Sequence, residues 1–360
     1  MPRARLKGLV LAGGKGSRLR PLTATGAKQL VPLANKPVLF YALEQLVAAG
    51  IVEIGIVTGE KGDQVRTAVG DGSAFGARVA YLPQSAPLGL AHAIVTAREW
   101  LGDDAFCMFL GDNFLRNGIV AYAGQFLAGR DQARILLKRV ADPAAFGVAL
   151  LDGHGRVRRL VEKPTRPVSD LAVVGVYFFG PEIHAITPCL TPSARGELEI
   201  TDAIQGLIDA GHTVDASLVD DDWIDTGRKD DLLAANRLVL STMVRRIDGD
   251  VDAASTVEGE VVIERGAAVV TSTVRGPAIV GAGSRLTDAF VGPFTAIGAD
   301  CQLERCGIEG SIVMERSVIR DIGPRIVDSL IGRDVVVERS LPTPGAIRLT
   351  LGDHSIVGLG

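Results

Sequence analysis

The sequence predicts an α/β domain built on a mostly parallel sheet, followed by a parallel β-helix. Up to about Leu240, short apolar runs alternate with helical patterns, which is typical of parallel strands joined by covering helices. After about Asp248 no helical period remains, and aliphatic residues recur six positions apart between glycines. Hexads of this kind indicate a parallel β-helix. An ordinary antiparallel β domain with glycine-rich turns is the alternative for this second half.

In the first half, three polar or glycine positions follow predicted strand ends. They are Gly13, Gln84 and Asp112. Because sites on open parallel sheets lie beyond the carboxyl ends of the strands, we expect these residues to lie close together. The predicted elements are strand Gly8–Ala12, a helix opened by Lys36-Pro37 and ended by Gly50, strands Ile51–Thr58 and Ala77–Leu82, helix Leu90–Leu101 and strand Ala105–Leu110.

In the second half, the hexads are interrupted twice. The register slips near Gly276 and again near Gly307, so we expect irregular coils. The six-residue spacing joins Val257, Ile263 and Val269, then Val280 and Leu286, then Val291, Ile297 and Leu303, then Ile308 and Met314.

The length and composition are those of a globular protein of two domains. We expect the first domain to span residues 1–242 and the second to span residues 243–360. Of the 360 residues, 47% are hydrophobic and 22% charged, and the net charge is −4. No broad basic field favours a nucleic-acid partner, and no apolar run reaches the length of a membrane span. The four cysteines form no C-x-x-C pair, which indicates free thiols in a reducing compartment. We therefore expect a cytoplasmic protein that binds neither nucleic acid nor membrane.

A glycine turn after the first strand is the most informative motif. In LVLAGGKGSRLRPLTATGAK, an apolar run breaks at paired glycines and is followed by Arg18, Arg20 and Lys28. Glycine lets backbone N–H groups approach phosphate oxygens, and the cations offset their charge, so the motif predicts a polyphosphate site. A Walker loop fails because position 9 is Leu, and a dinucleotide fingerprint fails because position 19 is Leu. A plain tight turn is the alternative.

A series of motifs along nearly the whole chain resembles the sugar-phosphate nucleotidyltransferases, and among them the glucose-1-phosphate thymidylyltransferases. The second half resembles the left-handed β-helix of their long form, which is found in deoxysugar pathways of antibiotic producers. One departure is Ser17, where threonine is usual. The motifs are LAGGKGSRL at 11–19, KQL at 28–30, PLGLA at 87–91, LGDN at 110–113, FGV at 146–148, VEKP at 161–164, GELEITD at 196–202 and WIDTG at 223–227.

The resemblance implies that dTTP and glucose 1-phosphate condense to dTDP-glucose and pyrophosphate by Mg²⁺-assisted in-line attack. A phosphomonoester is largely ionised near neutrality, because its second pKa is about 6, so no general base is required. Three alternatives stay open: a UTP-using enzyme, an enzyme for another sugar or carbasugar phosphate, and a noncatalytic regulatory protein that binds nucleotide sugars. A homo-oligomer is also expected.

The resemblance also implies roles for single residues. Arg18 and Lys28 would bind the leaving β- and γ-phosphates, and Lys163 the sugar phosphate. Asp112 and Asp225 would share one Mg²⁺ ion, since a hard cation prefers carboxylate oxygens. The implied nucleotide-binding set is Leu11, Ala12, Gly13, Gly14, Gln84, Pro87, Gly89 and Asp112. The implied sugar-binding set is Leu110, Gly147, Glu162, Val174, Tyr177 and Glu197.

Each of these polar residues also has a structural interpretation. Lys163 could lie in a solvated turn, Asp112 could cap the segment that follows it, Asp225 could be a turn carboxylate, and Gln84 could be a surface amide.

The second half allows three functions. Acyl transfer on a β-helix usually needs a histidine base, and beyond residue 212 the sequence offers only His354. A regulatory ligand site and a solenoid used for packing and subunit assembly are the other two.

Overall fold

In a computed structural model, which describes residues 5–339, the chain divides into two compact units. Segment 340–360, with His354 and the end of the predicted second domain, lies outside the described residues. The predicted boundary after residue 242 stays a prediction. The first unit contains the residues up to Lys15 together with Ala27–Leu30 and Val38–Asp225. The second unit contains Gly16–Gly26, Val31–Pro37 and the residues from Thr226 onward.

The helices are mostly short. Single 3₁₀ turns lie at Ser17–Leu19, Lys28–Leu30, Ser73–Phe75, Pro143–Ala145 and Thr187–Cys189. The α-helices are α1 (Leu22–Thr25), α2 (Val38–Ala48), α3 (Gly62–Val69), α4 (Leu90–Thr96), α5 (Arg98–Leu101), α6 (Val120–Ala128), α7 (Ile183–Ile186), α8 (Ile200–Asp209) and α9 (Lys229–Leu240).

The strands fall into two groups, before and after residue 240. The first group is β1 (Lys7–Ala12), β2 (Pro32–Leu33), β3 (Lys36–Pro37), β4 (Glu53–Thr58), β5 (Arg78–Pro83), β6 (Phe106–Leu110), β7 (Asn113–Leu115), β8 (Ala133–Arg139), β9 (Gly147–Leu151), β10 (Val157–Glu162), β11 (Leu171–Phe179), β12 (Val214–Leu218) and β13 (Trp223–Asp225). The second group is β14 (Arg246–Ile247), β15 (Asp250–Val251), β16 (Thr256–Glu258), β17 (Val261–Ile263), β18 (Ala268–Val270), β19 (Thr273–Arg275), β20 (Ala278–Val280), β21 (Arg285–Thr287), β22 (Phe290–Val291), β23 (Thr295–Ile297), β24 (Gln302–Glu304), β25 (Gly307–Glu309), β26 (Ile312–Val313), β27 (Val318–Arg320), β28 (Ile326–Val327), β29 (Leu330–Ile331) and β30 (Val336–Glu338).

A nine-stranded sheet forms the centre of the first unit, in the order β10-β9-β11-β6-β1-β4-β5; β8 pairs with β11, and β12 pairs with β8. Strands β6, β1, β4 and β5 are parallel neighbours, as the sequence predicts, so their carboxyl ends share one edge. Strand β11 is antiparallel to β6, β8 and β9 and is buried along its whole length. The predicted α/β fold class is confirmed.

Two predicted elements differ in detail. Lys36 and Pro37 do not open a helix but form β3, paired with β2 across a turn in which Ala34 and Asn35 have φ of 46° and 65°. Helix α2 therefore begins only at Val38. The predicted helix over residues 90–101 is divided into α4 and α5 at Ala97.

The second unit contains three parallel sheets that run through successive coils, in the orders β14-β17-β20-β23-β26-β29, β15-β18-β21-β24-β27-β30 and β16-β19-β22-β25-β28. Val261 pairs with Ala278, 17 residues later, whereas Ile312 pairs with Leu330, 18 residues later. These pairings confirm the parallel β-helix, and the antiparallel alternative is wrong. Coils of this length are consistent with the left-handed form, and coils shorter than three full hexads explain the slips of register.

Left-handed backbone conformations mark the corners of the coils. Successive corners in one column are glycines or polar residues with positive φ, a conformation that glycine adopts without steric cost. In a second column Thr271 has φ of 48°, which is unusual for a β-branched residue. The first column is Gly266, Gly283, Asp300, Arg316 and Asp334.

The sheet that contains β17 and β20 is buried on both faces. Ile263 and Val280 face the interior of the coils, whereas Ile279 and Ile312, on its other face, are also buried. At Ile312 this outer face packs against Leu233 of α9 and Met314, with Leu22 beside them.

Within residues 5–339, no helix is long and apolar enough to cross a membrane.

Candidate active site

The glycine turn packs its backbone directly against the neighbouring loop of the first unit. A Cβ atom added at Gly59 would lie 2.7 Å from the carbonyl oxygen of Gly13, and one added at Gly13 would lie 3.4 Å from Oε1 of Gln84. A Cβ atom at Gly14 would lie 2.9 Å from Cε of Lys28. Any side chain at Gly14 would thus displace the lysine. Gly13 therefore lets the turn pack against the loop at Gly59, and Gly14 lets Lys28 approach the turn.

An ion pair lies beside this turn. Lys28 Nζ contacts Asp112 Oδ2, and the two side chains are only 16% and 11% exposed. Burial alone would raise the pKa of Asp112, but the Lys28 ammonium and the hydrogen bonds from Lys28 and Asn113 outweigh it and hold this pKa below its usual value. Asp112 is therefore a carboxylate at neutral pH, paired with a cation that also faces the glycine turn.

Strand pairing brings the two predicted metal ligands together. Strand β7 begins just after Asp112 and pairs with β13, with Asn113 opposite Asp225. Oδ1 of Asn113 accepts hydrogen bonds from Trp223 Nε1 at 2.6 Å and from the Gly175 amide at 3.3 Å. Asn113, which the sequence reasoning missed, thus fixes the junction between the two aspartates.

Burial and two nearby carboxylates raise the pKa of Tyr177. These carboxylates belong to Glu162 and Asp225, so the predicted sugar and metal residues share one electrostatic neighbourhood. Tyr177 stays protonated at neutral pH and can only act as a neutral hydroxyl.

The predicted nucleotide-base residues form a turn held by residue 198. Gly89 has φ of 105°, and a Cβ there would lie 2.4 Å from the carbonyl oxygen of Leu198. The Leu198 amide donates to the carbonyl of Leu88, next to Pro87, at 2.7 Å. Gln84 Nε2 donates to Nδ1 of His92 at 2.8 Å. Gln84 is thus an oriented, partly buried amide rather than a surface one.

Two of the predicted sugar residues, Gly147 and Glu162, meet at the paired ends of β9 and β10. Glu162 lies opposite Gly147, and a Cβ at Gly147 would lie 3.2 Å from Glu162 Oε2. Thr201 Oγ1 donates to the same carboxylate oxygen at 3.2 Å. Gly147 therefore leaves room for the acid and its hydroxyl partner.

Lys163 has an unusual backbone. Its φ is +39°, in a region that costs a non-glycine residue on the order of 1–3 kcal/mol. Its amide donates to the Phe146 carbonyl at 3.0 Å, and its Nζ lies 3.4 Å from Glu162 Oε1. The side chain is 44% exposed, so the ammonium remains accessible to an anion.

Arg195 connects three acids, and the sequence reasoning missed it. Its NH2 lies 3.3 Å from Glu162, 3.2 Å from Glu197 and 2.7 Å from the buried Glu199. The hydrogen bond to Glu199, together with the three negative charges, raises the pKa of Arg195. The guanidinium stays partly exposed and adds a second cation close to the Lys163 ammonium.

Val174 does not share a pocket with Tyr177. Its side chain is fully buried in the hydrophobic core on one face of the sheet, whereas Tyr177 packs into the core on the other face. Val173, on the Tyr177 face, instead lies 3.5 Å from the Cβ position of Gly147. Leu110, at the end of β6, packs on this same side.

The remaining predicted residues lie at the start of the chain. Leu11 and Ala12 are buried at the end of β1. Arg18 lies in the 3₁₀ turn Ser17–Leu19, within the second compact unit. Its role therefore stays a prediction from the sequence.

Comparisons with known proteins decide the family. A family model described as nucleotidyl transferase matches residues 7–242. The chain belongs to the nucleotidyltransferase family. It is 53% identical over 350 residues to the glucose-1-phosphate thymidylyltransferase of Streptomyces griseus, covering 97% of this chain and 98% of that one. It is 52% identical over 353 residues to the enzyme of the same name from Streptomyces antibioticus, covering 98% and 99%.

A solved structure supports the fold of this nucleotidyltransferase. It is a protein from Bacillus anthracis assigned as a glucose-1-phosphate thymidylyltransferase, in complex with sucrose. The two chains are 35% identical with a TM-score of 0.61, over 65% of this chain and 94% of that one. The resemblance found in the sequence motifs is thereby confirmed.

Proposed function

We propose that this nucleotidyltransferase transfers a thymidylyl group from dTTP to glucose 1-phosphate, giving dTDP-glucose and pyrophosphate. The observation that carries the proposal is the match along nearly the whole chain to two enzymes of that name. The site chemistry supports it, because cations lie beside the glycine turn and beside Glu162, as a reaction between two phosphate groups requires.

In the proposed reaction, an oxygen of the sugar phosphate attacks the α-phosphorus. A new P–O bond forms there, the bond from that phosphorus to the bridging oxygen of the β-phosphate breaks, and pyrophosphate leaves. The attacking phosphate needs no base because it is already ionised. Lys163 and Arg195 hold it, while Arg18 and Lys28 bind the departing phosphates, so catalysis rests on alignment and charge neutralisation.

The donor set fits a magnesium ion. Magnesium is commonly held by one or two carboxylates, with water and substrate phosphates completing its octahedral shell. Asp112 and Asp225 are two such carboxylates at the β7–β13 junction, and among residues 5–339 no group of three or more His, Cys, Asp or Glu side chains could hold a metal ion. We propose that these two aspartates hold Mg²⁺, which would withdraw charge from the phosphates when bound.

The rest of the predicted site follows the same scheme. Gln84 and Gly89, beside Pro87, read the edge of the pyrimidine, and Leu11–Gly14 pass behind the nucleotide. Glu162 and Tyr177 bind sugar hydroxyl groups, with Gly147 and Glu197 around them. Val174 contributes only backbone.

A panel of nucleoside triphosphates against sugar 1-phosphates tests the proposal. Pyrophosphate release is measured with and without Mg²⁺, and the product is identified by its mass. We expect dTTP with glucose 1-phosphate to give the highest kcat/KM. A higher value with UTP, or with another sugar or carbasugar phosphate, would support the first alternatives. No pyrophosphate release from any pair would support the noncatalytic regulatory protein. Cytoplasmic location and homo-oligomeric assembly stay predictions.

A further inference from the structure

The segment that carries Arg18, Gly16–Gly26, contains an internal hydrogen bond. Thr23 Oγ1 donates to the carbonyl oxygen of Gly16 at 2.6 Å, and the side chains of Leu19 and Thr23 are buried. This bond ties the two ends of the Gly16–Thr23 stretch together, so contacts that hold the stretch also constrain the backbone of Arg18 within it.

The β-helix holds this segment from within the second unit. Leu22 and Gly26 rest on the outer surface of its last described coils. A Cβ atom at Gly332 would lie 3.1 Å from Cδ1 of Leu22, and one at Gly26 would lie 3.4 Å from NH1 of Arg333. Leu22, like Leu330, packs against a small buried apolar cluster that consists of Leu233, Ile312 and Met314.

The segment that follows Lys28 is held in the same way. The Ala34 amide donates to Asn236 Oδ1 at 2.8 Å, and Asn35 Nδ2 donates to the Ile297 carbonyl at 2.7 Å. Asn236 is fully buried and donates in turn to the carbonyl of Phe294, at 3.2 Å. The segment Val31–Pro37 is thus bound to α9 and the β-helix.

Helix α9 also acts on Arg18 electrostatically. Burial raises the pKa of Asp231, in the first turn of α9, and the charges of Arg228 and Arg18 oppose this rise. An acid of α9 therefore lies within electrostatic reach of Arg18. The same helix is anchored by the ion pair between Arg237 and Asp328, at 2.6 Å.

We propose that the β-helix is a positioning device for the phosphate-binding segment Gly16–Gly26: its outer surface fixes this segment, and through it the Arg18 cation that receives pyrophosphate. This inference rests on the proposed function, which gives Arg18 that role. It assigns the β-helix a part in catalysis that neither subunit assembly nor a regulatory ligand requires.

Paired glycine substitutions on the β-helix test the inference. Gly332→Val inserts a branched side chain against Leu22, whereas Gly323→Val makes the same change where nothing lies within 4 Å of the new Cβ. Leu22→Ala removes the contact from the other side. Arg18→Ala reports on the cation itself. For each purified full-length variant, the fraction of active sites is titrated and thermal unfolding is recorded.

The decisive readout is the reverse reaction, in which KM for pyrophosphate and KM for dTDP-glucose are measured separately. We expect Gly332→Val and Leu22→Ala to raise KM for pyrophosphate about tenfold, since misplacing a binding group by 1 Å can cost up to about 10²-fold. KM for dTDP-glucose should stay close to the wild-type value, and Gly323→Val should match the wild type in both constants.

Two results would overturn the inference without touching the proposed function. In one, Arg18→Ala raises KM for pyrophosphate while Gly332→Val and Leu22→Ala do not. In the other, these two variants raise both KM values equally, as general destabilisation would. If Arg18→Ala itself leaves KM for pyrophosphate unchanged, the role of Arg18 and the inference fail together.

Discussion

At the scale of single residues, the pair between Lys28 and Asp112 bears on the proposed magnesium site. The Lys28 ammonium contacts a carboxylate that is 11% exposed and occupies one of its oxygens. A divalent ion that approaches the free protein must compete with this cation. Phosphates that draw Lys28 away would remove the competition, so metal and nucleotide should bind cooperatively.

Replacing Lys28 by methionine should therefore strengthen metal binding to the nucleotide-free protein. The competing charge is removed while the length of the side chain is kept, and we expect Mn²⁺ to bind about tenfold more tightly, the scale of one charged hydrogen bond. Calorimetry or the electron paramagnetic resonance of free Mn²⁺ measures this. Lys15→Met, an exposed lysine of the same turn, is the matched control. Equal affinities for the two variants would refute the competition.

Lys163 gives a second prediction at this scale. Its ammonium is exposed beside Glu162 and Arg195, and its backbone is held in the left-handed region. Lys163→Gln should raise KM for glucose 1-phosphate by roughly 10- to 100-fold, because one charge-assisted hydrogen bond to the phosphate is lost. KM for dTTP should change little, and the exposed neighbour Arg166 gives the control variant Arg166→Gln. Unchanged constants for the sugar phosphate would exclude this role.

Local motifs in the sequence point to residues that the structure brings together. Glycines beside a lysine and acids after strand ends are visible in a linear pattern, and Gly14, Lys28 and Asp112 do lie close together. Their roles stay predictions. Arg195 could not be named in advance, because it reaches Glu162 from 33 residues away in a loop that has no pattern of its own. The placement of Val174 on the face opposite Tyr177 could not be predicted either, because β11 is apolar on both faces and its composition does not distinguish them.

At the scale of elements, the corners of the β-helix are where local conformation conflicts with residue type. Gly266 and Gly283 adopt positive φ without steric cost, and Asp300 tolerates it. Thr271 does not, because its branched Cβ crowds the backbone in this conformation. The backbone N–H of Thr271 donates a hydrogen bond to the Asp252 carboxylate, so the side chain of residue 271 can be replaced without losing that bond.

Thr271→Asn should therefore stabilise the protein. Asparagine occupies the left-handed region with less strain, and we expect roughly 1 kcal/mol of additional unfolding free energy. Denaturant unfolding at equilibrium measures it. Thr273→Asn, two residues later in β19, should instead lower stability slightly, since asparagine is disfavoured in strands. A gain at both positions, or at neither, would contradict the strain at this corner.

The hexads also show what a linear pattern misses at this scale. They reveal the inward residues Ile263, Val269 and Leu303, which pack in the interior. The triplets VVI in β17 and AIV in β20 also indicate a covered outer face, because the middle residue of each triplet is aliphatic and faces outward. A solvated outer face would not need aliphatic residues there. Such triplets indicate which sheet is covered, and they could have revealed it in advance.

At the scale of the whole molecule, the compact units do not follow the order of the chain. The sequence predicts one domain boundary after residue 242, where the alternating strand and helix patterns give way to hexads. In the structure, Gly16–Gly26 and Val31–Pro37 belong to the unit of the β-helix, although they come from the first 37 residues of the chain. No local pattern could reveal this, because their partners lie some 200 to 300 residues away, as the bonds of Ala34 to Asn236 and of Asn35 to Ile297 illustrate.

A chain truncated after Thr242 should therefore lose packing around Leu22, far from the point of truncation. It keeps α9 but loses Ile312 and Met314, so the buried Leu233 and the partly buried Leu22 lose the residues that cover them. Exposing one fully buried leucine costs up to roughly 3 kcal/mol. We expect a lower midpoint of thermal unfolding and a higher KM for pyrophosphate. A chain ended after Arg339 keeps every contact described above and is the control. Wild-type stability and kinetics in the shorter chain would mean that residues 1–242 fold and act alone, and that the β-helix contributes nothing to the segments around the phosphates.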